Sequence, residues 1–110
     1  MTLATYQIIY IDSLQARLYG ELIQTIEERG TCWVRPLFLI FKTETFEADT
    51  SLDIDLRNGP DIVCANTFVK PALDTDWLPF VGKLQEAKNA CDYRQANQHL
   101  RDFLETLVNT

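Results

Sequence analysis

Acidic side chains fall densely enough in this chain to raise metal binding first. Asp53-Ile54-Asp55-Leu56-Arg57-Asn58-Gly59 echoes the opening of a calcium loop, where carboxylates at alternate positions converge on one ion. The match breaks at three places. Arg57 falls on a ligand position, Asn58 stands where the loop glycine belongs, and Cys64 replaces the closing glutamate. The expectation is instead an alternating strand, Leu52 to Leu56, with Asp53 and Asp55 on its wet face and no metal bound. Zinc fares worse. Cys32, Cys64 and Cys91 have no paired spacing, and the single histidine, His99, lies within a helical turn of none of them.

Nucleophilic catalysis would need an activated thiol or hydroxyl beside a base. Cys64 ends an apolar run before a loop, and His99 is the one imidazole that could reach it. Cys64 has no glycine-rich elbow, however, and His99 sits among Gln95, Gln98 and Arg101 on a polar helix face. Glycines 20, 30, 59 and 82 stand alone, so no loop is built to cradle phosphate. No catalytic residue and no cofactor is assigned.

Arg35 stands out because it lies inside the apolar run Thr31 to Phe41, two residues from Trp33 and beside Pro36. A guanidinium buried there needs a carboxylate or an anionic ligand, because an unpaired buried charge is very costly. Asp12, Asp53, Asp55 and Asp61 are the candidate ion-pair partners. The alternative is a small-ligand or anion site centred on Arg35 with Trp33 stacked beside it. Trp77 is the third candidate binding residue. It lies in a proline-punctuated apolar stretch, Val69 to Pro79, that either packs over the core or offers an anchor to another chain.

The elements that would position these residues follow from hydrophobic spacing. Tyr6 to Ile11 favours a short strand. Asp12 with Gln15 suggests a capping box, and Leu14, Leu18, Leu22 and Ile26 repeat every four residues up to Gly30, which predicts a helix over Ser13–Arg29. Cys32 to Phe41 reads as a strand buried on both faces. Pro36 marks either an edge or a bulge within it. Leu52–Leu56 and Ile62–Ala65 complete a three-strand meander, and the connector after Ala65 has room for a helical turn near Phe68. Asp74-Thr75-Asp76 caps a helix reaching about Ala90. Asp92 with Gln95 caps a last helix whose apolar positions include Tyr93, Leu100, Phe103, Leu104 and Leu107. The expected fold class is therefore α+β, a single domain over residues 1–110. A small antiparallel sheet of about three strands is flanked by an N-terminal helix and two C-terminal helices.

Composition narrows the partners. The 110 residues carry a net charge of −6, which would repel a phosphate backbone or an anionic membrane surface. No apolar run approaches the length of a membrane span. Met1 to Thr5 lacks the basic residues of a secretory leader, and the odd, scattered cysteines suit reduced thiols, so the expected location is cytoplasmic. Arg35-Pro36-Leu37 and Lys70 to Asp76 resemble stretches in a family of small, uncharacterised cyanobacterial proteins. The resemblance covers about a third of the chain, and it implies a source but no activity, cofactor or functional residue. The function expected from these features is a small interaction or accessory domain without catalytic activity. Its partner is a protein, in the first instance a second copy in a homodimer built on the apolar stripe of the last helix, with no nucleic acid and no membrane insertion.

Overall fold

The computed structural model describes residues 5–14, 16–41, 54–73 and 92–108. Six strands occupy them: β1 (Ile8–Asp12), β2 (Ala16–Ile26), β3 (Thr31–Phe41), β4 (Ile54–Asp55), β5 (Ile62–Ala65) and β6 (Lys70–Pro71). Helix α1 (Tyr93–Val108) follows, and 3-10 turns at Glu27–Arg29 and Asn66–Phe68 join strands. Every pairing is antiparallel, in the order β4-β3-β2-β1-β6, and β5 shares the outer edge of β3 with β4.

This overturns the expected three-strand meander with a helix before it and two after. The sheet has six strands, and α1 is the single α-helix among the described residues. The first of the two expected C-terminal helices, up to Ala90, lies outside the described residues, as do Trp77, Asp53 and Cys91. The expected helix over Ser13–Arg29 is the strand β2. A spacing of four returns to the same face in a strand as well as in a helix, so Leu18 and Leu22 could not discriminate. The residues between them do. Ala16, Leu18, Gly20 and Leu22 all point inward with a period of two, against Arg17 and Glu21 outside. The Asp12–Gln15 cap is absent as well. Asp12 ends β1, and the hairpin turn is closed by Ser13, whose N–H reaches the Ala16 carbonyl at 2.8 Å. Gly30 does stop a turn, with φ of 64°, but it closes the 3-10 turn that leads into β3.

β3 is the central strand, though it is not buried on both faces throughout. Cys32, Val34 and Pro36 face inward while Trp33 and Arg35 face out. The register slips between Tyr19 and Gly20, so that Tyr19 meets Phe38 while Gly20 meets Pro36, leaving Leu37 as the extra residue of a bulge. The proline thus sits next to the expected irregularity. It also falls in the gap between β5, which pairs with Thr31 to Val34, and β4, which pairs with Phe38 and Leu39. Past the bulge both faces are covered: Leu39 lies in the core, and Phe38 stacks on Tyr19 on the opposite face, with ring centroids 4.9 Å apart.

The sheet cannot be flat. From β5 to β6 it spans four strand spacings, about 19 Å. Ala65 and Lys70 are only five residues apart and reach at most about 18 Å fully extended, less with the intervening 3-10 turn. The sheet therefore curls around its core face, helped by the bulges at Leu37 and Ile23, and Val69 passes beneath it fully covered. α1 fills the hollow. Its N-terminus carries the expected capping box, Asp92 Oδ1 accepting from the Gln95 N–H at 2.8 Å and Gln95 Oε1 from the Asp92 N–H at 3.2 Å. Ala96, Leu100, Phe103 and Leu107 then face Leu18, Leu39, Leu56 and Ile62 in one core. No helix among the described residues is long and apolar enough to cross a membrane.

Candidate functional site

The outward side of β3 and β5 gathers the residues that the sequence singles out. Trp33 and Val63 are cross-strand neighbours, and both are exposed, at 37% and 59%. The indole is held by Asp61, whose Oδ2 accepts the Trp33 Nε1–H at 3.0 Å. The other oxygen of Asp61 lies 3.6 Å from Arg35 Nε, and Glu21, opposite Arg35 in β2, lies 3.9 Å from its Nη1. Arg35 is exposed rather than buried, because the alternation of β3 turns it outward beside Trp33. Its pairs are long and solvated, and each contributes little. Asp61 belongs to the expected partner set. An anion approaching Arg35 meets the carboxylates of Asp61 and Glu21, and the one firm contact of the cluster is the bond that holds Trp33 to Asp61.

Among the described residues, the edge of β5 beside this cluster is open. The Asn66 N–H bonds to the Gly30 carbonyl at 2.9 Å, which fixes the alternation of the ladder. Ile62 and Cys64 therefore turn their backbone groups toward β3, and Val63 and Ala65 turn theirs away. Among the described residues β5 has no other partner strand.

The remaining candidates are accounted for by packing and pairing. Asp55 is not on a wet face. It is buried, and Arg57 donates to it from Nε at 3.0 Å, Nη2 at 2.7 Å and the backbone N at 3.0 Å. Those bonds hold the guanidinium more firmly protonated than usual, against the effect of burial. A carboxylate so occupied has little left for calcium, and no group of three ligating side chains is found among the described residues. Asp12 and Arg17 form a bidentate pair at 2.7 and 2.9 Å across the β1–β2 hairpin, with the guanidinium 4.2 Å above the Tyr10 ring. Of the apolar stripe on α1, Leu100, Phe103 and Leu107 are buried in the chain's own core and Leu104 packs against it; Tyr93 alone is well exposed.

Cys64 and His99 do not meet. Cys64 faces Cys32 near the start of β3, while His99 lines a cavity with Leu39 and Phe41 near its end, about 20 Å along the strand. Burial, and then the neighbouring Cys32, push the Cys64 thiol from 9.0 up to about 11, so hardly any thiolate exists near neutral pH. The folded state holds this proton more tightly than the unfolded chain does. The resulting stability is fully present below about pH 9 and lost as pH rises toward 11. Urea midpoints should fall between about pH 8 and pH 10.5, and Cys64→Ser should shrink that fall. An unchanged midpoint would show Cys64 to be solvated.

The open edge and the His99 cavity are not visible in residue spacing, since both depend on which strands meet. The four-residue run Ile62–Ala65 is the one local sign of the edge. No family model, no curated protein and no solved structure matches this chain, and the open, tryptophan-flanked edge of β5 is the feature on which a role can be built.

Proposed function

We propose that this chain is a small interaction domain without catalytic activity, and that it binds by adding a strand of its partner to the free edge of β5. The observation that carries the reading is the pair of outward backbone positions, Val63 and Ala65, next to an exposed indole held in place by Asp61. An unpaired edge supplies main-chain hydrogen bonds, and an anchored tryptophan supplies the apolar contact that a short strand lacks. A second copy of the chain is the partner that fits most simply. With a two-fold axis at Cys64, Val63 of one copy pairs with Ala65 of the other and the reverse, so every outward group of the strand is used. A cytoplasmic location suits this reading, since Cys32 and Cys64 are free thiols.

Sedimentation at micromolar concentration tests it. Wild-type protein should run as a dimer. Trp33→Ala and Val63→Pro should run as monomers with unchanged far-UV circular dichroism, since a proline at Val63 deletes an outward N–H and spares the β3 ladder. In this register Cys64 faces its counterpart at a non-hydrogen-bonded position, with Cα atoms about 4.5 Å apart, within disulfide reach. Oxidation by a disulfide reagent near pH 9, where some Cys64 thiolate forms, should therefore trap a Cys64–Cys64 dimer. A wild-type monomer, or a dimer indifferent to Val63→Pro, would discard the self-paired edge.

A further inference from the structure

We infer that the cavity between α1 and the β1–β2 hairpin is a binding site for a small arylalkyl amine. This stands apart from the β5 edge and needs no partner protein. The cavity measures about 250 Å³, and Ala16, Leu39, Phe41 and Phe103 form the apolar part of its wall. A void of roughly 150 Å³ accepts a benzene ring, and the additional space holds a short chain with a polar end.

The polar lining determines which end fits. Ser13 donates its hydroxyl proton to the Ala16 carbonyl at 3.1 Å and accepts from the Ala16 N–H at 3.0 Å. Thr106 donates to the Phe103 carbonyl at 2.6 Å. Both hydroxyl protons are therefore committed to the backbone. Asp102 is an acceptor; its Oδ1 takes one bond from Gln98 Nε2 at 3.0 Å, leaving Oδ2 for a ligand. Among the described residues of the lining, His99 is the one side chain with a donor not already given to the backbone, and an imidazole can also accept. A lining this rich in acceptors calls for a ligand that brings donors. An ammonium brings three, pairs with the Asp102 carboxylate and is favoured beside aromatic rings. The net charge of −6 draws cations as well. A ligand with a carboxylate would instead face Asp102.

Phenethylamine and phenylacetate, which share a ring and differ in the sign of the head group, make the discriminating pair. Each is titrated into the full-length protein and followed by amide nitrogen–proton NMR. Phenethylamine should give saturable shifts at Ala16, His99 and Phe103, with a dissociation constant on the order of 1 mM, a reasonable return for about nine non-hydrogen atoms. Asp102→Asn should weaken binding about two- to fivefold, the worth of an exposed ion pair, and Asp102→Glu should restore part of it. Asp102 is exposed, so neither change should move the melting temperature. Val63→Pro should bind the amine as wild type does, which separates this site from the β5 edge. Three results would overturn the inference: no saturable shift, phenylacetate binding as tightly as the amine, or Asp102→Asn binding undiminished.

Discussion

Leu100→Glu should unfold the protein outright. Leu100 is 2% exposed and sits in one core with Leu18, Leu39 and Leu56. Removing its apolar packing costs about 2–5 kcal/mol, and a carboxylate left there without a partner adds several more. A domain of this size has roughly 5–15 kcal/mol in total. Circular dichroism should show loss of the sheet and helix signals at 25 °C, with no cooperative melt. Leu100→Met, which nearly conserves volume, should cost less than about 1.5 kcal/mol. Tyr93→Glu, on the exposed first turn of the same helix, should stay within about 0.5 kcal/mol of wild type. A folded Leu100→Glu protein of reduced native mass would mean that the stripe on α1 lies between copies, contrary to its burial within one chain.

Gly20→Ala is the second large effect, and it comes from a single methyl group. A Cβ at Gly20 would lie 2.6 Å from Val34 Cγ1 and 2.9 Å from the Arg35 carbonyl oxygen. Val34 is fully buried and cannot swing away, and the carbonyl belongs to the central strand. We expect a loss at or beyond the upper end of the roughly 1–3 kcal/mol typical of overpacking. The smaller gain from stiffening the unfolded chain, about 0.4–1 kcal/mol, offsets only part of it. Urea denaturation should show a lower midpoint with an unchanged slope. Adding Val34→Ala should recover part of the loss but not the clash with the carbonyl, so the two substitutions should be non-additive. A Gly20→Ala protein within about 0.5 kcal/mol of wild type would show that β2 and β3 do not approach this closely.

Gly20 is also the residue of β2 that a helical reading leaves unexplained. The fourfold spacing of Leu14, Leu18, Leu22 and Ile26 satisfies both periods, and the acidic residues near Glu27 and Glu28 supply a polar face. A glycine in mid-helix costs about 1 kcal/mol, whereas in a strand it permits a close neighbour, so Gly20 was the residue that argued for strand. Where one period alone fits, the local sequence finds the element but not its neighbours: the Asp92–Gln95 cap, the last helix, a strand at Ile62–Ala65 and an irregularity beside Pro36 are all present. Yet the α1 stripe expected between copies packs into the core, and Ile62–Ala65 pairs with β3 instead of extending a meander from β4. Arg35 was harder to read, because Trp33 makes an alternating strand look uniformly apolar and so hides its outward face. Asp55 shows the converse. Its alternation with Ile54 and Leu56 is real, but burial of the outer face turns an expected solvated carboxylate into the partner of Arg57. Pairings between distant segments, such as β6 with β1, leave no local trace at all.

The brief link from Ala65 to Lys70 also dictates an order of assembly. β1, β2 and β3 join through neighbouring hairpins, which close quickly because little chain lies between the partners. β6 pairs with β1 across the longest stretch of chain in the sheet, at Ile9 and Tyr10, with one more bond from the Ala72 N–H to the Ile8 carbonyl at 3.1 Å. The β6–β1 seam is thus expected to form late and to open early, which native-state hydrogen exchange at the Ala72 N–H would show. When that seam parts, the three long strands can stay paired while the sheet relaxes toward flatness, exposing Ile9 and Val69 before any hairpin is lost.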